Sequence, residues 1–63
     1  MIMFEVTYRW GQVSYDNPGH VRDMVMNITM DPEISIDVGN WCEIATVGER
    51  YEGREFSVEV VER

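Results

Sequence analysis

Two side chains with nucleophile and base chemistry occur once each, Cys42 and His20. Together they could act as an activated thiol and its general base, if the fold brought them within hydrogen-bond reach. Nothing in the sequence does so: they lie 22 positions apart, and neither has a glycine-rich oxyanion segment beside it. Cys42 sits next to the apolar positions of a predicted helix, where a buried structural thiol is expected. His20 falls in the first turn of another predicted helix, where it is expected to be solvated. The run Asp31-x-Glu33-x-Ser35-x-Asp37 has the oxygen ligands of a calcium loop at alternate positions. Such a loop needs glycine at its sixth position and glutamate at its twelfth. Here those positions hold Ile36 and Cys42, so the ladder reads as a solvated face. No phosphate-cradling GxGxxG or P-loop spacing is present. With 12 Asp and Glu residues, acid–base pairs can be drawn anywhere and single out none. The sequence therefore nominates no catalytic residue, no metal ligand and no cofactor site.

Composition narrows the remaining classes. The chain has 63 residues, five of them arginine and none lysine, against 12 acids, for a net charge of −7. The charge is uneven: residues 1–30 carry three acids against two arginines, residues 31–63 nine against three. A surface of this sign repels phosphate polymers and anionic lipid, which excludes direct nucleic-acid and membrane binding. No apolar run approaches the roughly 18 residues needed to cross a bilayer. Residues 1–10 lack a basic start and interrupt their apolar run with Glu5 and Arg9, unlike a secretory signal. The expectation is a cytoplasmic protein, in which Asn27-Ile28-Thr29 is a chance sequon and one free thiol is unremarkable. A hydrophobic content of 44% supports a folded core, but a chain this short buries only about 60% of its unfolded surface. With no disulfide or metal available, association is the remaining device, and a homodimer is expected.

The elements that would position these residues follow from periodicity. Ile2, Phe4, Val6, Tyr8 and Trp10 alternate with Met3, Glu5, Thr7 and Arg9, predicting a half-buried strand over 2–10. Residues 12–15 either prolong it past Gly11 or begin a hairpin return. Asn17-Pro18 is a helix start, and Val21, Met24, Val25 and Ile28 form the stripe of a helix over about 18–30. The competing alternation of Met24, Met26, Ile28 and Met30 would make it a strand, and the cap signal favours helix. Asp31-Pro32 terminates that element. Ile34 and Ile36 predict a short strand over 33–37. Asp37 then caps a second helix whose stripe is Val38, Trp41, Ile44, Ala45, Gly48 and Tyr51, ending at Gly48 or Gly53. Phe56, Val58 and Val60 predict a closing strand over 55–61. The reading is one α+β domain spanning residues 1–63. Its order is β-α-β-α-β, and two long amphipathic strands frame a small two-layer sandwich.

The residues Asp31-Pro32-Glu33-Ile34-Ser35, Asp37-Val38, Trp41, Glu43-Ile44-Ala45, Gly48-Glu49 and Tyr51-Glu52 resemble small uncharacterised acidic proteins of Firmicutes and their phages and mobile elements. The resemblance covers about 20 residues of the second half. It implies a setting, an accessory gene product in a bacterial cytoplasm, and carries no residue role.

Charge and size together point to a non-enzymatic protein-binding module whose acidic surface engages a basic protein surface. A compact display of carboxylates can occupy a groove that otherwise holds phosphates, as an inhibitor of a host nucleic-acid-handling or defence enzyme would. The expected contact residues are Glu43, Glu49, Tyr51, Glu52 and Glu55, with Tyr51 as the aromatic anchor in an acidic segment. Two alternatives remain: a protein that only assembles with itself, and a ligand-binding protein or enzyme whose site lies at a homodimer interface, lined by Trp10, Tyr15, His20 and Cys42.

Overall fold

Strand β1, Ile2–Tyr8, keeps the alternation that predicts it, burying Phe4 and Val6 while Met3, Glu5 and Thr7 face the other way. It stops two residues short of the expected end because Arg9 and Trp10 form a turn. Gly11 follows with φ of 138°, a conformation that glycine enters at no steric cost. The chain then returns antiparallel as β2, Gly11–Tyr15. Of the two readings of residues 12–15, the hairpin return is the one that forms. The computed structural model describes residues 1–63 throughout.

Helix α1, Pro18–Thr29, starts as its cap signal requires. The Asn17 side chain accepts from the Gly19 amide at 2.7 Å, and Pro18 occupies the first turn. Val21 and Val25 are fully buried, with Met24 and Ile28 packed beside them, so the helical stripe prevails over the alternating one. Asp31-Pro32 ends this helix and also begins the next one. Met30 turns the corner in the left-handed region at φ 57°. Asp31 Oδ1 then accepts from the amides of Glu33 and Ile34, at 3.0 and 3.4 Å, and starts α2, Pro32–Ile44.

The expected strand over 33–37 is therefore helix, and the cap is Asp31 rather than Asp37. The physical reason is a longer stripe. Ile34, Val38, Trp41, Cys42 and Ala45 recur at helical spacing and pack against the core, whereas Ile36, the other half of the apparent alternation, is 52% exposed. The far end also differs. Instead of running to Gly48 or Gly53, α2 stops at Ile44, where Ala45 adopts extended geometry. Ile44, placed on the core stripe by the longer helix, is 79% exposed. A turn at Thr46–Glu49 leads into β3, Arg50–Glu52. Gly53, Arg54 and Glu55 turn the chain into β4, Phe56–Glu62, close to the expected closing strand. At Gly53 an added Cβ would lie 2.3 Å from the Phe56 ring, so glycine lets that ring lie flat on the turn.

The order is thus β-β-α-α-β-β, with two hairpins in place of single framing strands. The sheet is antiparallel with strand order β2-β1-β4-β3. Both helices cover one face, giving the two-layer α+β sandwich. Between the layers lie Phe4, Val6, Val21, Val25, Val38, Cys42, Phe56, Val58 and Val60. The long strands β1 and β4 pair over their whole length, from Ile2↔Glu62 to Tyr8↔Phe56, so the two ends of the chain lie side by side. The opposite sheet face is open, and β2 and β3 are its edges.

Candidate functional site

On the open face Glu5 and Glu59 stand directly opposite each other across β1 and β4, an arrangement that is repulsive by itself. Each has its own cation. Arg63 pairs with Glu5, while Arg50 reaches Glu59 at 3.4 Å, pairs with Glu52 and donates to Ser57 at 3.1 Å. Arg50 has its pKa raised, first by the hydrogen bond to Glu52 and then by that carboxylate's charge. At the paired ends, the N-terminal ammonium lies 3.1 Å from Glu62. This face neutralises much of its own charge.

Eight carboxylates have no cationic partner: Asp16, Asp23, Asp31, Glu33, Asp37, Glu43, Glu49 and Glu55. Two of them hold local structure, Asp31 at the α2 cap and Glu49, which accepts from the amide and hydroxyl of Thr46 at 2.7 and 3.1 Å. Three others share α2. At 100° per residue, Glu33, Ile36, Asp37, Asn40, Glu43 and Ile44 fall within an arc of about 120°, and all six are exposed. The opposite side buries Val38 and Cys42. The outward surface of α2 thus combines three carboxylates over about 15 Å of helix axis with two exposed isoleucines.

The five residues expected to form the contact do not share one patch. Glu43 lies on the outward arc of α2. Glu49 is turned to Thr46, and Glu52 is held by Arg50. Glu55 sits in the β3–β4 turn and lines a cleft of about 720 Å³ with Tyr8, Arg9, Trp10, Met24, Asn27 and Ile28. Tyr51 packs between Trp41, at 5.6 Å, and Phe56, at 5.9 Å. Its hydroxyl donates to Asp37 at 2.9 Å, and burial followed by that bond raises its pKa. Tyr51 therefore locks β3 to α2. The protruding aromatic is Trp10, 80% exposed, with the Arg9 guanidinium 5.2 Å above its ring. Sequence reasoning missed Glu33, Ile36, Asp37 and Ile44 as one surface. A helix wheel started at Asp31 finds them.

The unique cysteine and histidine are kept apart by burial. Cys42 is 3% exposed, and burial, with a smaller effect from Glu43, pushes its thiol up to about 11. His20 is exposed at the start of α1, edge-on to Tyr15 at 6.1 Å. Trp10, Tyr15 and His20 lie around the β2 and α1 surface while Cys42 is in the core, so those four do not line a common pocket. No three His, Cys, Asp or Glu side chains converge as ion ligands, and no helix is long and apolar enough to cross a membrane. No family model, curated protein or solved structure matches the chain.

Proposed function

We propose that this chain is a non-enzymatic protein-binding module whose α2 surface docks on a basic protein groove of the kind that receives nucleic-acid phosphates. The observation that supports it is the joint placement of Glu33, Asp37 and Glu43, none paired with a cation, around Ile36 and Ile44 at 52% and 79% exposure. Carboxylates on a rigid helix attract a Lys/Arg-lined cleft at long range and set the orientation of approach. The isoleucines supply apolar area that becomes buried on docking. A partner that handles nucleic acid would then be inhibited by occupation of its phosphate path, in keeping with the mobile-element setting that the sequence suggests.

The test is competition against a DNA duplex for a panel of nucleases and helicases. The Glu33 and Glu43 side chains make no hydrogen bond or ion pair within the chain, so reversing both breaks none. The double variant Glu33→Lys/Glu43→Lys is expected to compete at least about tenfold less well, and wild-type competition to weaken as salt rises. Equal competition by wild type and double variant, or an equal loss from the sheet-face control Glu52→Gln, rejects the α2 surface.

A further inference from the structure

Strand β2 is an edge of the sheet, and an open edge offers unpaired amides and carbonyls to another strand. Proteins commonly blunt such edges with charge, proline or very short strands. The opposite edge does so: β3 has three residues, two of them charged. By contrast β2, Gly11-Gln12-Val13-Ser14-Tyr15, has five residues with no charge and no proline. In a two-residue hairpin closed by Tyr8↔Gly11 the ladder alternates, and the backbone groups of Gln12 and Ser14 point away from β1. The Gln12 side chain does not cover them, because it reaches back to the Thr7 hydroxyl at 3.0 Å.

We infer that β2 is a self-pairing edge, and that two copies of this chain join antiparallel about Val13 into one continuous eight-stranded sheet. The sequence of β2 is complementary to itself in this register. Val13 faces Val13 of the second copy, and Gln12 faces Ser14, so the two outward-pointing residues supply the bonds of the seam. Gly11 faces Tyr15, an aromatic ring over an edge glycine, which is a recognised way to stabilise such a position. The flanks match in charge. Arg9 and Asp16 bracket β2 and neither has an ion-pair partner within the chain. Antiparallel pairing brings Arg9 of each copy to the end of the seam that holds Asp16 of the other. The axis of such a pair is perpendicular to the sheet, so both copies keep their helices on the same side. The outward arc of α2 takes no part in the seam, and dimerisation and partner docking therefore use separate surfaces.

Sedimentation equilibrium of the full chain between about 10 µM and about 1 mM reads this directly. Wild type is expected to move from the monomer mass toward twice that value. Gln12→Lys/Ser14→Lys sets lysine against lysine at both ends of the seam. Within the monomer, position 14 stands opposite Glu5, already paired with Arg63, and position 12 opposite Thr7, so neither new charge faces a like charge directly across β1. That variant is expected to dimerise at least about tenfold more weakly with its thermal unfolding retained. Arg9→Glu alone is expected to weaken the dimer, and Arg9→Glu/Asp16→Arg to restore it, a rescue that a general loss of stability would not produce. A monomer across the whole range, an undiminished dimer in the double-lysine variant, or a dimer lost on Glu33→Lys/Glu43→Lys instead, overturns the inference.

Discussion

The Cys42 thiol shows what a buried titratable group does in a chain with little core to spare. Burial, then the neighbouring Glu43, raises its pKa from 9.0 to about 11. Between those values the folded chain keeps the proton and the unfolded chain releases it. The unfolded state thus binds fewer protons, and stability falls as pH rises. The contribution is fully present below about pH 9, declines up to about pH 11 and is constant beyond, a span corresponding to about 3 kcal/mol. Urea unfolding of wild type at pH 8 and at pH 10 should show part of this loss, and Cys42→Ala should show a smaller decline over the same interval. Parallel declines in the two proteins would show that the thiol is not the source. At this scale much was legible: a lone cysteine beside apolar helix positions reads as buried, and Cys42 lies in the core. The role of Tyr51 was not, because its partners Asp37, Trp41 and Phe56 come from three other places in the chain.

Between the helices a single residue makes the corner. Met30 sits at φ 57° and is 74% exposed, so its side chain contributes little packing to offset a left-handed backbone that costs a non-glycine residue about 1–2 kcal/mol. Met30→Gly is expected to stabilise the chain by about 1 kcal/mol, a rise of about 4–8 °C in Tm; a lower Tm by scanning calorimetry would contradict it. The same corner explains what could be read of the elements. Asp31-Pro32 is both a stop for the helix before it and a start for the helix after it, and reading only the stop turned the first turn of α2 into a strand. Glycine at 48 and 53 suggested helix ends, yet Arg50-Tyr51-Glu52 is strand because β4 pairs with it. Three residues carry too little periodicity for a non-local pairing to be seen locally. The long strands and α1 were legible because each carries its own repeated pattern and boundary signals. The α2 surface was hidden by the missed cap, since its arc exists only when residues 33–44 are one helix.

For the molecule as a whole, the net charge of −7 comes from a sheet face that pairs its acids and from eight carboxylates elsewhere without a cation, three of them on the outward arc of α2. A chain of this length is expected to hold roughly 3–9 kcal/mol of stability, which leaves little margin for a lost central strand. The two strands at the centre of the sheet, β1 and β4, come from opposite ends of the chain, and the Arg63 amide donates to the Met1 carbonyl at 2.8 Å. Pairing them closes a loop over nearly the whole of these 63 residues, a high-contact-order step that slows the search. Joining the ends with a few glycines and opening the chain between Thr46 and Val47 would turn that closure into an ordinary hairpin. Such a circular permutant is expected to keep the native circular dichroism spectrum and to refold about tenfold faster in stopped-flow mixing. The neighbouring ends thus make the order of assembly a property of where the backbone is cut, separable from the architecture that results.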